Sequence, residues 1–308
     1  MISVRRIAGA LVAIVAVPLS VVSVAAFFGD LDWRLDLIAN GRVQLWWIGG
    51  VLTLLALPTR SAVAITSAAA VALVNLAVVA PLYLPPGGDA AGEPVRILSF
   101  NLLSTNDRYD EVVGYIRETE PDLVFLHEGT ALWEEALGGF FLPDYEIVSG
   151  RTEALIFGTI ALVPPGSTVE NLGFRSQDPR GLVVTLDGLE VLGAHPLPPV
   201  SGPEASRNRA QLATYAEWAA TRDGPAVVVG DLNATPWAAG FRELEADGDL
   251  ENSQRGFGVA PTWEVGRFWA VPIDHLLHSD DLVTVDRVVG PDLGSDHRPL
   301  LVEVAPAG

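Results

Sequence analysis

The sequence predicts an α/β domain with mixed sheets, carried on three membrane-spanning helices at the N-terminus. Three observations lead there. Long uncharged apolar runs are confined to the first ninety residues. From Pro94 the pattern changes to short apolar runs broken by Gly, Pro and Asp. Those runs alternate irregularly between helix-like and hairpin-like patterns, which argues for mixed sheets rather than a doubly wound parallel sheet.

Residues 7–28 carry no charge; 43–59 form a second uncharged run with Gln44 inside, and 61–84 a third containing Asn75. Each approaches the length needed to cross a hydrocarbon core of roughly 30 Å as a helix. Three such runs leave no polar face to meet water, unlike soluble helices. Trp46 and Trp47 read as interfacial anchors, and Asn75 as a helix–helix hydrogen bond. A cleaved signal peptide is the rival for the first run; the two runs behind it favour an anchor. Residues 1–84 are thus expected to be a membrane anchor, 85–93 a Pro/Gly-rich linker, and 94–308 a catalytic domain. Arg5, Arg6 and Arg60 flank one side and Arg34 and Arg42 the other. The positive-inside rule then places the N-terminus inside and the domain outside.

Charge divides the same way. Residues 1–89 hold five Arg and four Asp; the rest holds 14 Arg against 34 acidic residues, so the domain sits near −20 of a total −19. Nucleic-acid binders present a basic surface, so this balance disfavours a polyanion partner. Every basic residue is Arg, a bias typical of GC-rich bacterial genomes, and no cysteine is present, which excludes thiol chemistry.

Within the domain, strands are expected at 95–100, 123–127, 146–149, 154–157, 160–163, 182–186, 190–194, 226–229, 273–277, 283–288 and 300–304. Helices are expected at 107–119, 131–137 and 205–221. Polar motifs mostly follow apolar runs: Ser99-Phe100-Asn101, His127-Glu128, His195-Pro196, Gly230-Asp231-Leu232-Asn233, Ile273-Asp274-His275 and Ser295-Asp296-His297-Arg298-Pro299. Side chains just past buried strands converge at a sheet edge. Phosphoester hydrolysis needs a hard cation, an oriented water and an acid or cation for the leaving oxygen. Asn101 and Glu128 offer oxygen ligands, Asp231 and Asn233 lie two apart in an expected extended segment, and His195 and His297 are acid–base candidates. Asp274 and Asp296 could orient a histidine. His275 and His278 read as packing residues.

In order and identity these motifs resemble the endonuclease/exonuclease/phosphatase superfamily, over about 94–304. Gly230-Asp231-Leu232-Asn233 and the 295–299 segment are the most specific parts. The resemblance implies a four-layer sandwich of two mixed β-sheets flanked by helices. It implies Asn101, Glu128 and Asp296 at a Mg²⁺ (or Mn²⁺) site, Asp231 positioning or deprotonating the attacking water, Asn233 and His195 on phosphate, and His297 oriented by Asp274. His127 stands where many relatives have Gln, and is read as a strand-end residue in preference to a partner supporting the site residues. Glu153 is a weaker candidate partner for His195; Arg209 and Gln211 match a helix-start pair without an assigned role.

With the anchor, the resemblance suggests a bacterial membrane phosphatase acting outside the cell on lipid-linked phosphate or pyrophosphate, similar to a type associated with glycopeptide resistance. The bilayer and a phosphate-bearing lipid are the expected partners. The alternatives are an exported nuclease and a membrane receptor on an inactive scaffold.

Overall fold

The structure, a computed structural model, describes residues 4–85, 87–140, 144–150, 157–172 and 181–308. It begins with helices α1 (Val4–Ala25), α2 (Trp33–Ala39), α3 (Arg42–Ala56) and α4 (Ala62–Val79). α1 and α4 run parallel with α3 antiparallel to both. At one end Arg42 donates to the Ser23 carbonyl and to Asn75 Oδ1, and Asn75 donates to Ser23 Oγ at 2.8 Å. Gly49 lets α3 approach α4 closely: a Cβ there would lie 2.4 Å from the Ala72 nitrogen.

Two helices, α1 and α4 extended by a 3-10 turn to Tyr83, are long and apolar enough to cross a membrane. Among the described residues, the expectation of three spans is corrected to two candidate spans. α3 has 15 residues, about 22 Å at 1.5 Å per residue, and gives way to a 3-10 turn at Leu57–Thr59 that contains Pro58. The unexpected α2 lies in the connection between α1 and α3, where Asp32 accepts from the Arg34 amide and caps it.

The following elements are β1 (Val95–Asn101), α5 (Tyr109–Thr119), β2 (Leu123–Thr130), α6 (Ala131–Gly139), β3 (Glu146–Ser149), β4 (Phe157–Val163), β5 (Thr168–Asn171), β6 (Gly181–Leu186), β7 (Leu189–Ala194), α7 (Gly202–Ala220), β8 (Ala226–Asp231), α8 (Ala239–Asp247), β9 (Glu251–Asn252), β10 (Asp274–His278), β11 (Leu282–Val289) and β12 (Leu300–Pro306). The strand expected over 154–157 falls outside the described residues except for Phe157, the first residue of β4, and Glu153 also lies outside them.

Two six-stranded sheets result, ordered β11-β12-β1-β2-β4-β3 and β5-β6-β7-β8-β10-β9. β1–β2 and β7–β8 are parallel and the other pairs antiparallel, so both sheets are mixed. Alternation along each strand builds the layers. Ile97, Phe125, Val191 and Val227 fill the space between the sheets. Leu98 and Phe100 face α5 and α6, while Leu192 and Val228 face α7 and α8. The sheets nearly touch at Gly193, where a Cβ would lie 2.1 Å from the Phe125 ring.

The helical region closes onto one end of the sandwich. Ala26, Ala39, Val79 and Leu82 pack with Trp237. Thr235 Oγ1 bonds Asn40 Oδ1 at 2.8 Å, and Asp36 Oδ1 accepts from the Ala239 amide at 2.6 Å. The segment after α4 is also held: the Ala91 amide donates to the Pro306 carbonyl, and the Gly308 amide to that of Asp89.

Candidate active site

The parallel strands β1, β2, β7 and β8 end at the same edge, and side chains at their ends meet there. Asn101 terminates β1 and pairs in register with His127 on β2. The β2–β4 register then shifts between Leu126 and Gly129, and Glu128 takes a positive φ of 56°. Such a bulge re-aims a side chain at some cost in backbone strain. Here it aims the Glu128 carboxylate at Asn101, whose Nδ2 donates to Glu128 Oε1 at 3.2 Å and to Asp231 Oδ2 at 3.0 Å. The Ser104 amide donates to Glu128 Oε2.

From the second sheet, Asp231 ends β8. Gly230 before it has φ of 152°, and a Cβ there would lie 1.8 Å from the Ala194 carbonyl oxygen. Only glycine allows β8 this close to β7, and this brings Asp231 beside His195. Asp231 Oδ2 lies 3.5 Å from His195 Nε2 and 3.7 Å from His297 Nε2. Asn233 does not continue an extended segment as expected. It is left-handed at φ 52°, in a turn where its amide donates to Asp231 Oδ1 at 2.9 Å. The aspartate side chain competes with extended backbone for that amide and folds the chain back. Asn233 Nδ2 reaches the Pro196 carbonyl at 3.1 Å.

Asp274 faces Asp231 in the β8–β10 register. Its Oδ2 holds His297 Nδ1 at 2.9 Å. Ser295 Oγ anchors the last motif by donating to the Asn101 carbonyl and accepting from the His297 amide. Asp296 stands apart: it is exposed, and its Oδ2 accepts the Trp263 indole N–H at 2.9 Å.

Burial alone would push His297 down, but the carboxylates of Asp274 and Asp231, the hydrogen bond to Asp274 and the charge of Asp296 raise it to about 10. Burial pushes Asp231 up, yet His297, then His195 and Asn101, hold it well below the usual carboxylate range. Burial raises Asp274 against the opposing pull of His297. The geometry is therefore a carboxylate between two imidazoles, in which Asp231 and His297 each favour the other's charged form.

The oxygens of Asn101 and Glu128, with no thiol nearby, fit a hard divalent cation. Asp231, Asp274 and His297 also bring ligand-type atoms within 4.8 Å of one another. Asp274 Oδ2 is already bonded to His297 Nδ1, so we read that trio as a hydrogen-bonded relay and the Asn101 and Glu128 oxygens as the cation's site.

His127 is fully buried, with its ring nitrogens 3.3 Å from Ser99 Oγ and 3.1 Å from Thr159 Oγ1. Its ring centroid lies 5.5 Å from that of His195. Burial, then the charge of His195, lower it to about 3, so it is a neutral support beneath His195. His275 bonds the Ala234 and Pro272 carbonyls, and His278 bonds Ser279 and Thr284. Arg209 pairs with Glu243, while Gln211 receives the Leu197 amide and steadies the turn after His195. Sequence reasoning missed Asn208, which joins the Leu197 and Leu232 carbonyls, and Thr262, whose Oγ1 accepts from the Asp274 amide. Neither carries a motif of its own.

The family profile described as Endonuclease/Exonuclease/phosphatase family matches residues 98–297. No curated protein matches the sequence. Solved structures similar in fold include D. rerio TDP2 complexed with single strand DNA product, at 18% identity and TM-score 0.55, covering 69% of this chain and 99% of that one. An endonuclease/exonuclease/phosphatase from Beutenbergia cavernae matches at 20% identity and TM-score 0.52, covering 70% and 72%. The human Nocturnin catalytic domain with bound sulfate anion matches at 14% and 0.53, covering 72% and 99%.

Proposed function

The chain belongs to the endonuclease/exonuclease/phosphatase family, whose members are generally phosphoester hydrolases, and from that premise we propose that it is a membrane-anchored, Mg²⁺-dependent hydrolase of lipid-borne phosphate. The observation that carries the chemistry is Asp231, ionised and buried between His195 and His297. In this reading Asp231 takes a proton from the attacking water as the water oxygen bonds to phosphorus. His297, kept protonated by Asp274, stabilises the charge that develops as the bond to the leaving oxygen breaks. His195 and Asn233 hold phosphate oxygens, and the turn at 231–233 fixes their spacing. Asn101 and Glu128 would hold the cation, with Asp296 at the margin. When bound, the cation neutralises phosphate charge and stabilises the reacting oxygens.

Anchoring in a membrane is supported by α1 and α4 and by the apolar side chains they and α3 leave exposed, among them Leu11, Ile14, Val21, Leu54 and Leu73. Soluble proteins seldom expose so much apolar surface. The contacts of α2 and Leu82 with the sandwich would keep the site of an anchored chain near the bilayer, and the Arg distribution favours the outer face. Membrane-proximal phosphate is mostly lipid phosphate. A nuclease is the second reading, favoured by the fold shared with a DNA-product complex. The acidic balance near −20 opposes it.

The test is phosphate release by the full chain in vesicles, with Mg²⁺ or with excess chelator, offered phosphatidic acid, polyprenyl pyrophosphate and DNA side by side. Mg²⁺-dependent release from a lipid is expected. Undiminished activity in chelator would end the metal assignment, and faster cleavage of DNA than of any lipid would replace this reading with the nuclease.

A further inference from the structure

The segment 256–271, between β9 and β10, is tied to the helical region at two points. The amides of Gly256 and Gly258 both donate to the Leu82 carbonyl at the end of α4. Gly258, at φ 74°, makes room for the Tyr83 ring, which a Cβ there would meet at 2.5 Å. Further along, Gln44 in the first turn of α3 donates through Nε2 to the carbonyls of Phe268 and Ala270, at 3.1 and 3.2 Å. The side chains at this second tie are not packed away: Phe268 is 65% exposed and Trp269 54%. Composition also sets the segment apart. In a domain near −20, its only charges are Glu264 and Arg267, and they pair with each other.

We propose that the 263–271 loop is a second bilayer contact, made by the sandwich itself, with Phe268 and Trp269 seated in the headgroup layer. This rests on the membrane-anchoring reading above and extends it from the helices to the catalytic domain. Position and chemistry name the occupant. Gln44 and Trp47 lie three apart on α3 and share a face. Trp47, and beyond it Val51 and Leu54, are exposed. The loop tip is thus tied one helical turn from an outward apolar row. Tyr83 and Leu84, exposed at the end of α4, stand beside the first tie. If α1 and α4 span a bilayer, their sandwich-side ends mark the level where hydrocarbon gives way to headgroups, and the loop is held at that level. Aromatic rings, and Trp above all, favour this layer because one part is apolar and another can stay wet. Pairing of Glu264 with Arg267 keeps a net charge out of the contact. The same loop reaches the candidate site: the Trp263 indole N–H holds Asp296, and Trp263 pairs through its backbone with His297. Seating the tip therefore holds the closing motif within a few residues of the lipid surface.

The chain has no cysteine, so a single introduced Cys carrying a polarity-sensitive nitrobenzoxadiazole dye reports its own surroundings. The full chain is placed in phosphatidylcholine vesicles with Phe268→Cys, with Leu73→Cys on the exposed side of α4, or with Asp223→Cys, an exposed position before the opposite end of β8. Trp269→Cys repeats the reading at the neighbouring position. Vesicles carry a nitroxide quencher either on the headgroup or deep in the acyl chain. The label at 268 should shift to the blue and be quenched more by the headgroup nitroxide. The label at 73 should be quenched more by the deep one, and the label at 223 by neither. Quenching at 73 with labels at 268 and 269 left in water overturns the loop contact and leaves the anchor standing. A blue shift at 268 that neither nitroxide touches assigns the cover to protein, such as a second copy of this chain, and overturns the bilayer as occupant. Absence of quenching at 73, 268 and 269 alike overturns both the contact and the anchor.

Discussion

The helical region and the sandwich are built inside out relative to each other. In the sandwich, apolar residues such as Ile97, Phe125 and Val227 are buried between sheets, and polar groups gather at one strand edge. In the helical region, large apolar side chains face outward, while Arg42, Asn75 and Ser23 are buried at one end of the bundle. Where the surroundings are apolar, burial of apolar surface cannot bring helices together, and close packing and hydrogen bonds must. In both regions the buried polar cluster is the informative one, joining helices in the first and assembling the candidate active site in the second. The regions meet behind the 231–239 segment, where Trp237, Thr235 and Ala239 contact Leu82, Asn40 and Asp36. The helical region is therefore also a wall of the candidate site's supporting structure.

The largest effect belongs to the sandwich's own cluster. Asp231→Asn keeps size but turns one of two accepting oxygens into a donor and removes the carboxylate's charge and basicity, so turnover should fall by about 10³. Phosphate release on the soluble ester measures this. A loss below about tenfold would show that the buried carboxylate between two histidines is structural, like the Asn75 cluster.

Next comes Asp274→Asn. His297 is raised from 6.5 to about 10. A group raised on folding contributes stability that is full below its ordinary value and lost as pH rises through the folded one. The protein should therefore lose stability between about pH 6.5 and 10 from this group, and activity that needs the imidazolium should fall on the same alkaline side. Asp274→Asn removes the chief carboxylate holding the proton. The alkaline limb of the pH–rate profile should move to lower pH, with turnover at neutral pH down by about 10². An unmoved limb would break the relay.

Much of this was legible in the sequence because strand-end motifs and strand periodicity are local signals. Gly230-Asp231 and Ser295-Asp296-His297 stand beside apolar runs, and the structure brings Asp231, Asn233, Asp274, His195 and His297 together with Asn101 and Glu128. What escaped was non-local. Thr262 holds Asp274 through one hydroxyl in a loop, and Asn233 turns because Asp231 captures its amide. α8 escaped because nothing at its own start caps it. α3 read as a span by composition, although its helix ends after 15 residues.

A third change tests the junction as a whole. Deleting residues 1–84 removes Asp36, Asn40 and Leu82 together and exposes Trp237 to water. If the anchor supports the catalytic segment, kcat on the soluble ester should fall several-fold along with the loss on vesicles. A truncated protein that matches the full chain on the soluble ester would reduce the N-terminal region to a tether.

The smallest effect isolates one contact in that junction. α8 begins after Ala238, which has no side chain to offer the first-turn amides, and no acidic residue lies in its first turn. Asp36, some two hundred residues earlier, supplies the acceptor at Ala239. Loss of a capping side chain costs about 1 kcal/mol, so Asp36→Ala should lower Tm by roughly 2–4 °C in a protein of this size. Turnover of the soluble ester should drop less than about threefold, because Asp231 itself stays bonded to Asn101 and Asn233. Ala238→Ser places a hydroxyl at the position the helix lacks, where the extended backbone at φ −66° and ψ 146° suits a capping residue. Added to Asp36→Ala, it should recover most of the lost Tm. Recovery would assign the contact to helix capping across the junction. If Ala238→Ser restores nothing, Asp36 acts through something other than the cap, and the cap is incidental.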